Sequence, residues 1–233
     1  MHPLIRLENI SVFDLLPGLE DESFDLVIFD NPWSQYKSKP GKMDPSGVYP
    51  VLSVEDIGQV METCVQKLRP GRRAVSWMCW PLLVEAVGAL SRGSRVPWLD
   101  VPGLRWVSGG SWHKEASAPG GGFHWRGHSE PLFLGVKGTG VGRPAKVQTL
   151  EGERLLRNAF SSPRLGHSEK PEEWQKQMIQ AFVPAGGRIL DPFAGLGSAA
   201  RATLAAGGGR RYVGCEIDTT RWAKAWRGIL ERT

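Results

Sequence analysis

The sequence predicts an α/β fold: a mainly parallel sheet with helices on both faces. Three observations carry the prediction. Short apolar segments alternate along the chain with segments of helical periodicity, as they do where strand–helix–strand units build a parallel sheet. The run Phe24–Phe29 (FDLVIF) is apolar almost without interruption, the mark of a strand covered on both sides. A glycine-rich turn at 191–198 lies between a short apolar strand and a helix of small residues, where open α/β sheets hold ligands.

The strand Phe24–Phe29 stops at Asp30-Asn31-Pro32-Trp33, because proline has no N–H to give a central ladder. A polar stretch rich in Lys, Gly and Pro follows at 34–48. Helical periodicity runs over 54–68 with Ser53 placed to cap it, and Pro70 and Gly71 end it before a strand at 74–78. A helix is expected at 82–90 and strands at 104–114 and 131–136, with a glycine-rich segment at 119–122 between the two strands. Residues 138–163 read as the longest loop; Arg143, Lys146, Arg154 and Arg157, continued by Arg164, outweigh Glu151 and Glu153. A helix at Glu172–Phe182, a strand at 188–190, a helix at 199–206 and a strand at Arg211–Cys215 complete the pattern.

A chain of 233 residues accommodates one compact domain with a real core, so residues 1–233 are read as a single domain. With 41% hydrophobic and 23% charged residues it has an ordinary globular composition, which speaks against disorder. The most apolar stretch, 74–90, is broken by Pro81 and carries Glu85, so it reads as strand into helix rather than as a membrane span. Charged residues stand near the start where a secretory leader needs an apolar run, and the expected location is the cytosol. Cys64, Cys79 and Cys215 form no CxxC pair, so neither a disulfide framework nor a zinc knuckle is expected. The net charge of +5 suits a polyanionic partner.

Two constellations carry chemistry. In the turn Asp191-Pro-Phe-Ala-Gly-Leu-Gly-Ser198, Gly195 and Gly197 let the backbone approach a ligand closely, and Glu216, beyond the next strand, can accept both hydroxyls of a ribose. The spacing is not that of a dinucleotide fingerprint and no Walker lysine is present, which leaves an adenosine-bearing cofactor of another kind. The bland alternative is a glycine turn with a purely structural task. The second constellation is Asp30-Asn31-Pro32-Trp33. An amino group on a heteroaromatic ring is a poor nucleophile, since its lone pair is delocalised. A carboxylate (Asp30) and a backbone carbonyl (Asn31) accepting its two N–H bonds would turn that lone pair outward; Pro32 stiffens the turn and Trp33 can stack on the base.

These motifs resemble a known family. Asp-Pro-Pro-Tyr/Trp and Asp-Pro-Phe-x-Gly-x-Gly are hallmarks of amino-methyltransferases of DNA and RNA, and the order here, catalytic motif first, resembles their permuted beta class. The chain is similar in particular to MT-A70-like adenine methyltransferases. Tyr49-Pro-Val-Leu-Ser-Val-Glu-Asp-Ile57 matches the stretch after their DPPW motif, and Trp112-His-Lys114 their Trp-x-Lys strand. Residues 120–122 match a glycine-rich turn, Trp125-Arg126 an aromatic-Arg segment, and Glu130-Pro-Leu-Phe-Leu-Gly-Val-Lys-Gly138 a strand motif. His167-Ser-Glu-Lys-Pro-Glu-Glu173 matches their His-Ser-x-Lys-Pro-x-Glu element. Asn31 stands where the family carries the first proline of DPPW.

The resemblance implies a Rossmann-like SAM-dependent methyltransferase fold of the seven-stranded type with permuted motif order, and S-adenosyl-L-methionine as cofactor. It implies a cofactor pocket of Asp191, Pro192, Phe193, Ala194, Gly195, Gly197, Ser198, Glu216 and Ile217, with Ser168 and Lys170, and Asp30 between cofactor and base. Trp33, Tyr36, Lys37, Lys39, Lys114 and Arg126 are the implied substrate contacts. The DPFAGLG motif is similar to those of bacterial and phage enzymes, which implies DNA as partner, and Asp30 at the first motif position, where cytosine enzymes often carry Ser, implies N6 of adenine as target. N4-cytosine and RNA N6-adenine methylation stay open as rivals, as does a catalytically silent nucleic-acid-binding subunit. No metal is expected, because His113, His124, His128 and His167 show no ligand spacing. The basic stretch at about 138–165 is the candidate target-recognition element, and its shortness makes either a homodimer or low sequence specificity a reasonable expectation.

Overall fold

The computed structural model describes residues 2–32, 52–115, 129–140, 142–149, 152–163 and 169–232. In chain order its elements are β1 (Ile5–Glu8), α1 (Val12–Leu15), a 3-10 turn (Leu16–Gly18), β2 (Phe24–Phe29), α2 (Val54–Lys67) and β3 (Leu68–Trp77). They continue with α3 (Trp80–Ser91), β4 (Leu104–Glu115), β5 (Ser129–Lys137), β6 (Val147–Thr149), β7 (Gly152–Arg154) and β8 (Ala159–Pro163). The last five are α4 (Glu172–Phe182), β9 (Arg188–Asp191), α5 (Ser198–Ala206), β10 (Arg211–Cys215) and α6 (Thr219–Leu230). Eight strands form one sheet in the order β1-β10-β9-β2-β3-β5-β4-β8. Among the described residues every strand of this sheet except β5 runs parallel. The expected α/β, Rossmann-like architecture is present with the permuted order, since the strand leading to Asp30 precedes the one leading to the glycine turn.

Alternation along β2 sets up two cores. Leu26 and Ile28 face Trp174, Met178 and Ile179 of α4, the alanines of α5, and Ala225 and Ile229 of α6. Val27 and Phe29 face Val12 and Leu15 of α1, Ile57, Val60, Met61 and Cys64 of α2, and Leu82 and Ala86 of α3. Helices therefore lie on both faces, as expected. Burying each such large apolar side chain contributes about 1.5–3 kcal/mol before chain entropy is subtracted. Asp25 interrupts the apolar run and is buried, and it is compensated: Arg69 lies 2.7 Å and Arg72 3.2 Å from its carboxylate, which also accepts the Arg188 N–H at 2.9 Å.

Helix ends follow their sequence signals. Ser53 caps α2 by accepting the Asp56 N–H at 2.9 Å, while Asp56 accepts the Ser53 N–H at 3.2 Å, a reciprocal capping box. Beyond its end, the Lys137 ammonium donates to the carbonyls of Gln66 and Leu68, where orphan acceptors and the negative end of the helix favour a cation.

The structure departs from the sequence expectations in several places. β3 begins at Leu68, so Pro70 and Gly71 lie inside the strand rather than before it; the ladder shifts register between Phe24 and Leu26, and this irregularity accommodates them. Residues 138–163 are not one loop, because they contain the β6–β7 hairpin and β8, which pairs in parallel with β4 from Ser111 to Glu115. β8 makes the sheet eight-stranded instead of the expected seven. β1, α1 and α6 had no counterpart in the expected element list.

Candidate active site

The strand order reverses between β9 and β2. From β9 the chain passes through α5 to β10 on one side, and from β2 through α2 to β3 on the other. Such a switch point leaves a crevice at the carboxyl ends of the strands, where ligands of open α/β sheets bind. Both constellations end there: Asp30 follows β2 and the turn from Asp191 follows β9.

Asp30 is half-buried and bonded to Lys170, whose Nζ lies 2.9 Å from Asp30 Oδ1. Lys170 immediately precedes α4 and is itself buried; its ammonium also lies 3.3 Å from Glu130 Oε2 and 5.6 Å from the centre of the Trp77 ring. Glu130 opens β5 and is bonded in turn by the Lys114 ammonium from the end of β4. Lys114 also rests over Trp112, 5.3 Å from the ring centre. The result is a chain of alternating charges, Asp30, Lys170, Glu130 and Lys114, along one rim of the crevice. Burial raises the Asp30 carboxyl above the usual carboxylate range, with Lys170 opposing the shift. Burial pushes Glu130 the same way, but Lys170 and Lys114 overcome it and hold Glu130 below the ordinary value. Lys170 is raised despite its burial, because Asp30 and Glu130 both stabilise its charge.

Asn31 is buried, with Nδ2 placed 3.8 Å from Met61 Sδ of α2 and Oδ1 without a partner among the described residues. Its side chain thus belongs to the core. Pro32 follows it as the last described residue before residue 52.

The glycine turn has the geometry its sequence implies. Gly195 and Gly197 have φ of 55° and 76°, in the left-handed region, and Gly197 starts α5. Asp191 lies beneath the turn: Oδ1 accepts the Phe193 N–H at 3.1 Å and Oδ2 accepts the Tyr212 hydroxyl at 2.8 Å. Burial pushes its carboxyl up to about 7, against both hydrogen bonds. Pro192 and Ala194 tie the turn to β10, through the Cys215 thiol on the Pro192 carbonyl and the Ala194 N–H on the Cys215 carbonyl. Ser198 Oγ accepts from Gln175 of α4 at 3.0 Å.

Glu216, at the end of β10, is buried, and burial raises its carboxyl. One oxygen accepts the Asp218 N–H at 2.8 Å, and the other lies 3.8 Å from Arg221 Nε. Ile217 beside it is 51% exposed, an apolar side chain left open next to a carboxylate.

Of the residues singled out from the sequence, the structure brings Asp30, Asn31, Pro32, Lys114, Lys170, the turn 191–198, Glu216 and Ile217 to this end of the sheet. Trp33, Tyr36, Lys37, Lys39, Arg126 and Ser168 lie outside the described residues. Two residues not picked out as site residues stand in it. In the sequence Glu130 stands only within a strand motif, and Arg221 carries no signal beyond its place three residues after the Asp218 cap. The basic segment from 138 starts far from Asp30. Arg73 donates to the Gly142 carbonyl and the Ala145 N–H bonds the Ala181 carbonyl, which fixes residues 142–145 toward the amino end of β3 and the last turn of α4. β8 then climbs toward the carboxyl end beside Lys114.

A family model described as DNA methylase, covering the N6-adenine and N4-cytosine enzymes, matches residues 91–225. The chain belongs to this DNA methylase family. The match spans β4 through α6, with the glycine turn and Glu216, while Asp30 falls outside it. Solved structures agree on the fold. The complex of M1.HpyAVI with SAM superposes with a TM-score of 0.64 at 15% identity, over 96% of this chain and 99% of that one. A Thermus thermophilus protein assigned as a DNA modification methylase, complexed with S-adenosyl-L-methionine, reaches 0.68 at 20% identity over 97% and 93%. PvuII DNA methyltransferase, cytosine-N4-specific, reaches 0.68 at 12% identity over 99% and 93%. No curated protein sequence matches. Among the described residues of this DNA methylase, no helix is long and apolar enough to cross a membrane.

Proposed function

We propose that this DNA methylase transfers a methyl group from S-adenosyl-L-methionine to N6 of adenine in DNA, as a single-domain, MT-A70-like enzyme of the permuted beta class. The observation that carries the reading is the meeting, across the β9/β2 switch point, of the Asp30 carboxylate with a left-handed glycine turn and a buried ribose-sized acceptor, Glu216. The residues fit the cofactor. Gly195 and Gly197 hold the turn in left-handed backbone that side-chain-bearing residues adopt only with strain, buried Glu216 ends the next strand, and exposed Ile217 offers an apolar face for an adenine ring. When bound, the cofactor supplies an electrophilic methyl group.

The chain's own residues do the rest. Asp30 and the Asn31 carbonyl accept the two N–H bonds of the target amino group and direct its lone pair at the methyl; the proton leaves to water after transfer. Lys170 holds Asp30 in one rotamer and, as a buried cation, offsets the cost of keeping that carboxylate charged. A base buried in a duplex must leave its stack to reach such a pocket. Trp33, Tyr36, Lys37, Lys39, Lys114 and Arg126 are the proposed contacts to the flipped base and its phosphates. The basic element at about 138–165, through its carboxyl-end part, reads the flanking duplex, and the enzyme works as a homodimer.

The test is incubation with S-adenosyl-L-methionine and separate DNA and RNA pools, followed by mass spectrometry of nucleosides. N6-methyladenine in DNA is the expected product. N4-methylcytosine, methylated RNA, or cofactor binding without transfer to any polymer would each overturn the assignment. Asp30→Ala is expected to abolish transfer while cofactor binding persists, and undiminished activity in that variant would remove Asp30 from the mechanism.

A further inference from the structure

The Lys170 ammonium is shared. It is buried between two carboxylates, 2.9 Å from Asp30 and 3.3 Å from Glu130, although one would neutralise it. Glu130 is shared in the same way, because its other oxygen takes the Lys114 ammonium. The sheet builds this arrangement. Glu130 is the register partner of Trp112, so Lys114, two residues further along the same face of β4, is its diagonal neighbour. Trp77 of β3 and Trp112 meet edge to face with ring centres 6.1 Å apart, and each indole carries one of the two ammoniums over its ring.

Stability does not ask for such a chain of charges. Taking ions out of water costs about as much as their attraction returns, and apolar side chains of similar size would fill the space as well. The carboxylate at its end gives it a purpose. An Asp30 fully neutralised by its own lysine would be a weak acceptor for the amino N–H bonds of a base. Glu130 draws part of the ammonium away, and Lys114 limits how much it draws.

We propose that Glu130 is a positioning residue of this active site, dividing the Lys170 ammonium with Asp30, and that Lys114 sets the division. The part Asp30 plays in the reaction rests on the proposed function; the division itself does not. After burial, the groups that act most on the Asp30 carboxyl are Lys170, which lowers it, Glu130, which raises it, and Arg221 of α6, which lowers it. Asp191 at the end of β9 faces it as well. Lys114 is not among these groups and reaches Asp30 through Glu130. The Cys79 thiol before α3 also faces Glu130, and burial raises it, so it stays neutral.

The test is titration of the Asp30 carboxyl in the folded chain, read by NMR of the side-chain carboxyl carbon and assigned with Asp30→Asn. It needs neither substrate nor cofactor. Glu130→Gln is expected to shift the Asp30 midpoint down, because Lys170 then serves Asp30 alone and a like charge is gone. Lys114→Gln is expected to shift it up, because Glu130, left with one cation, takes more of Lys170. The double variant Glu130→Gln with Lys114→Gln is expected to match Glu130→Gln, since the lysine has lost the group it works through. That last comparison stands even if Lys114→Gln alone does not fold. A midpoint unmoved by Glu130→Gln, single variants that shift it in the same direction, or a double variant that differs from Glu130→Gln would each overturn the proposal. With DNA, the acid limb of kcat is expected to follow the same order. A failed methylation assay beside the expected midpoints would overturn the assigned reaction and leave the division of charge intact.

Discussion

Asp191 shows how a single buried group can tie stability to pH. Both of its oxygens accept hydrogen bonds, from Tyr212 and from Phe193, yet burial still lifts the carboxyl from 3.8 to about 7. Between those two values the folded chain holds a proton that the unfolded chain has released. Stability therefore declines as pH rises through this window, at a slope of up to about 1.4 kcal/mol per pH unit. Asp191→Asn removes the titration while keeping an acceptor for the Tyr212 hydroxyl. Urea unfolding from pH 4 to pH 8 is expected to show the wild type losing stability relative to the variant as pH rises, and parallel curves would sink the argument. The raised value also gives the turn a neutral carboxyl at mildly acidic pH, which limits the negative charge that Asp191 adds beside Asp30 and Glu216.

At the scale of elements, the β9–turn–α5 unit depends on two separate costs at Gly197 that a pair of substitutions can divide. Gly197 has φ of 76° and its Cβ position lies 3.0 Å from Ala225 Cβ of α6; Gly207 has φ of 65° and nothing within 4 Å. Gly207, with ψ of −158°, sits in a region essentially reserved for glycine, so Gly207→Ala carries a backbone strain of about 1–3 kcal/mol and meets no neighbour. Gly197, with ψ of 24°, is in the left-handed helical region, where alanine costs about 1–2 kcal/mol, and its Cβ must also displace α6. Both variants are expected to lose stability in chemical denaturation, and only Gly197→Ala to weaken cofactor binding; equal effects on cofactor binding would mean that α6 yields freely. This unit was legible in the sequence because its chemistry is local: an apolar strand, two glycines, then small helix formers. The same holds for β2, α4 and β10, whose observed ends fall on the expected residues. β8 was not legible, since AFSSP carries no hydrophobic alternation; it is a strand because the outer edge of β4 needs a partner, and an edge tolerates its proline. α6 did carry a signal in the Asp218 cap and the spacing of Trp222, Ala225, Trp226 and Ile229. In the site, Asp30 and Glu216 announced themselves at strand ends. The Lys170–Glu130 link did not, because it joins segments remote in sequence that only the β3–β5 pairing brings together.

Across the whole molecule, charge is divided between the two ends of the sheet. At the carboxyl end the carboxylates Asp30, Glu130 and Glu216 face Lys170, Lys114 and Arg221, and the charges compensate one another. At the amino end Arg6, Arg188 and Arg211 line a cavity of about 340 Å³ with Tyr212 and Val213. Arg188 and Arg211 are register partners on adjacent strands, and Arg6 pairs with Val213, two residues beyond Arg211, so all three project from the same face. Neither Arg188 nor Arg211 has a carboxylate partner among the described residues. Arg188 is lowered from its ordinary value, chiefly by burial and then by Arg211 and Arg69, with Glu20 opposing them. Arg6 is paired with Glu8, so the cations that repel one another there are Arg188 and Arg211. Arg211→Gln is therefore expected to raise the thermal midpoint at low ionic strength. The gain should shrink as salt shortens the Debye length from about 30 Å at 0.01 M to about 3 Å at 1 M. Inorganic phosphate should stabilise the wild type more than the variant at equal ionic strength, because it neutralises the same charges. A variant no more stable than the wild type in dilute buffer would show that solvent alone already screens the cluster.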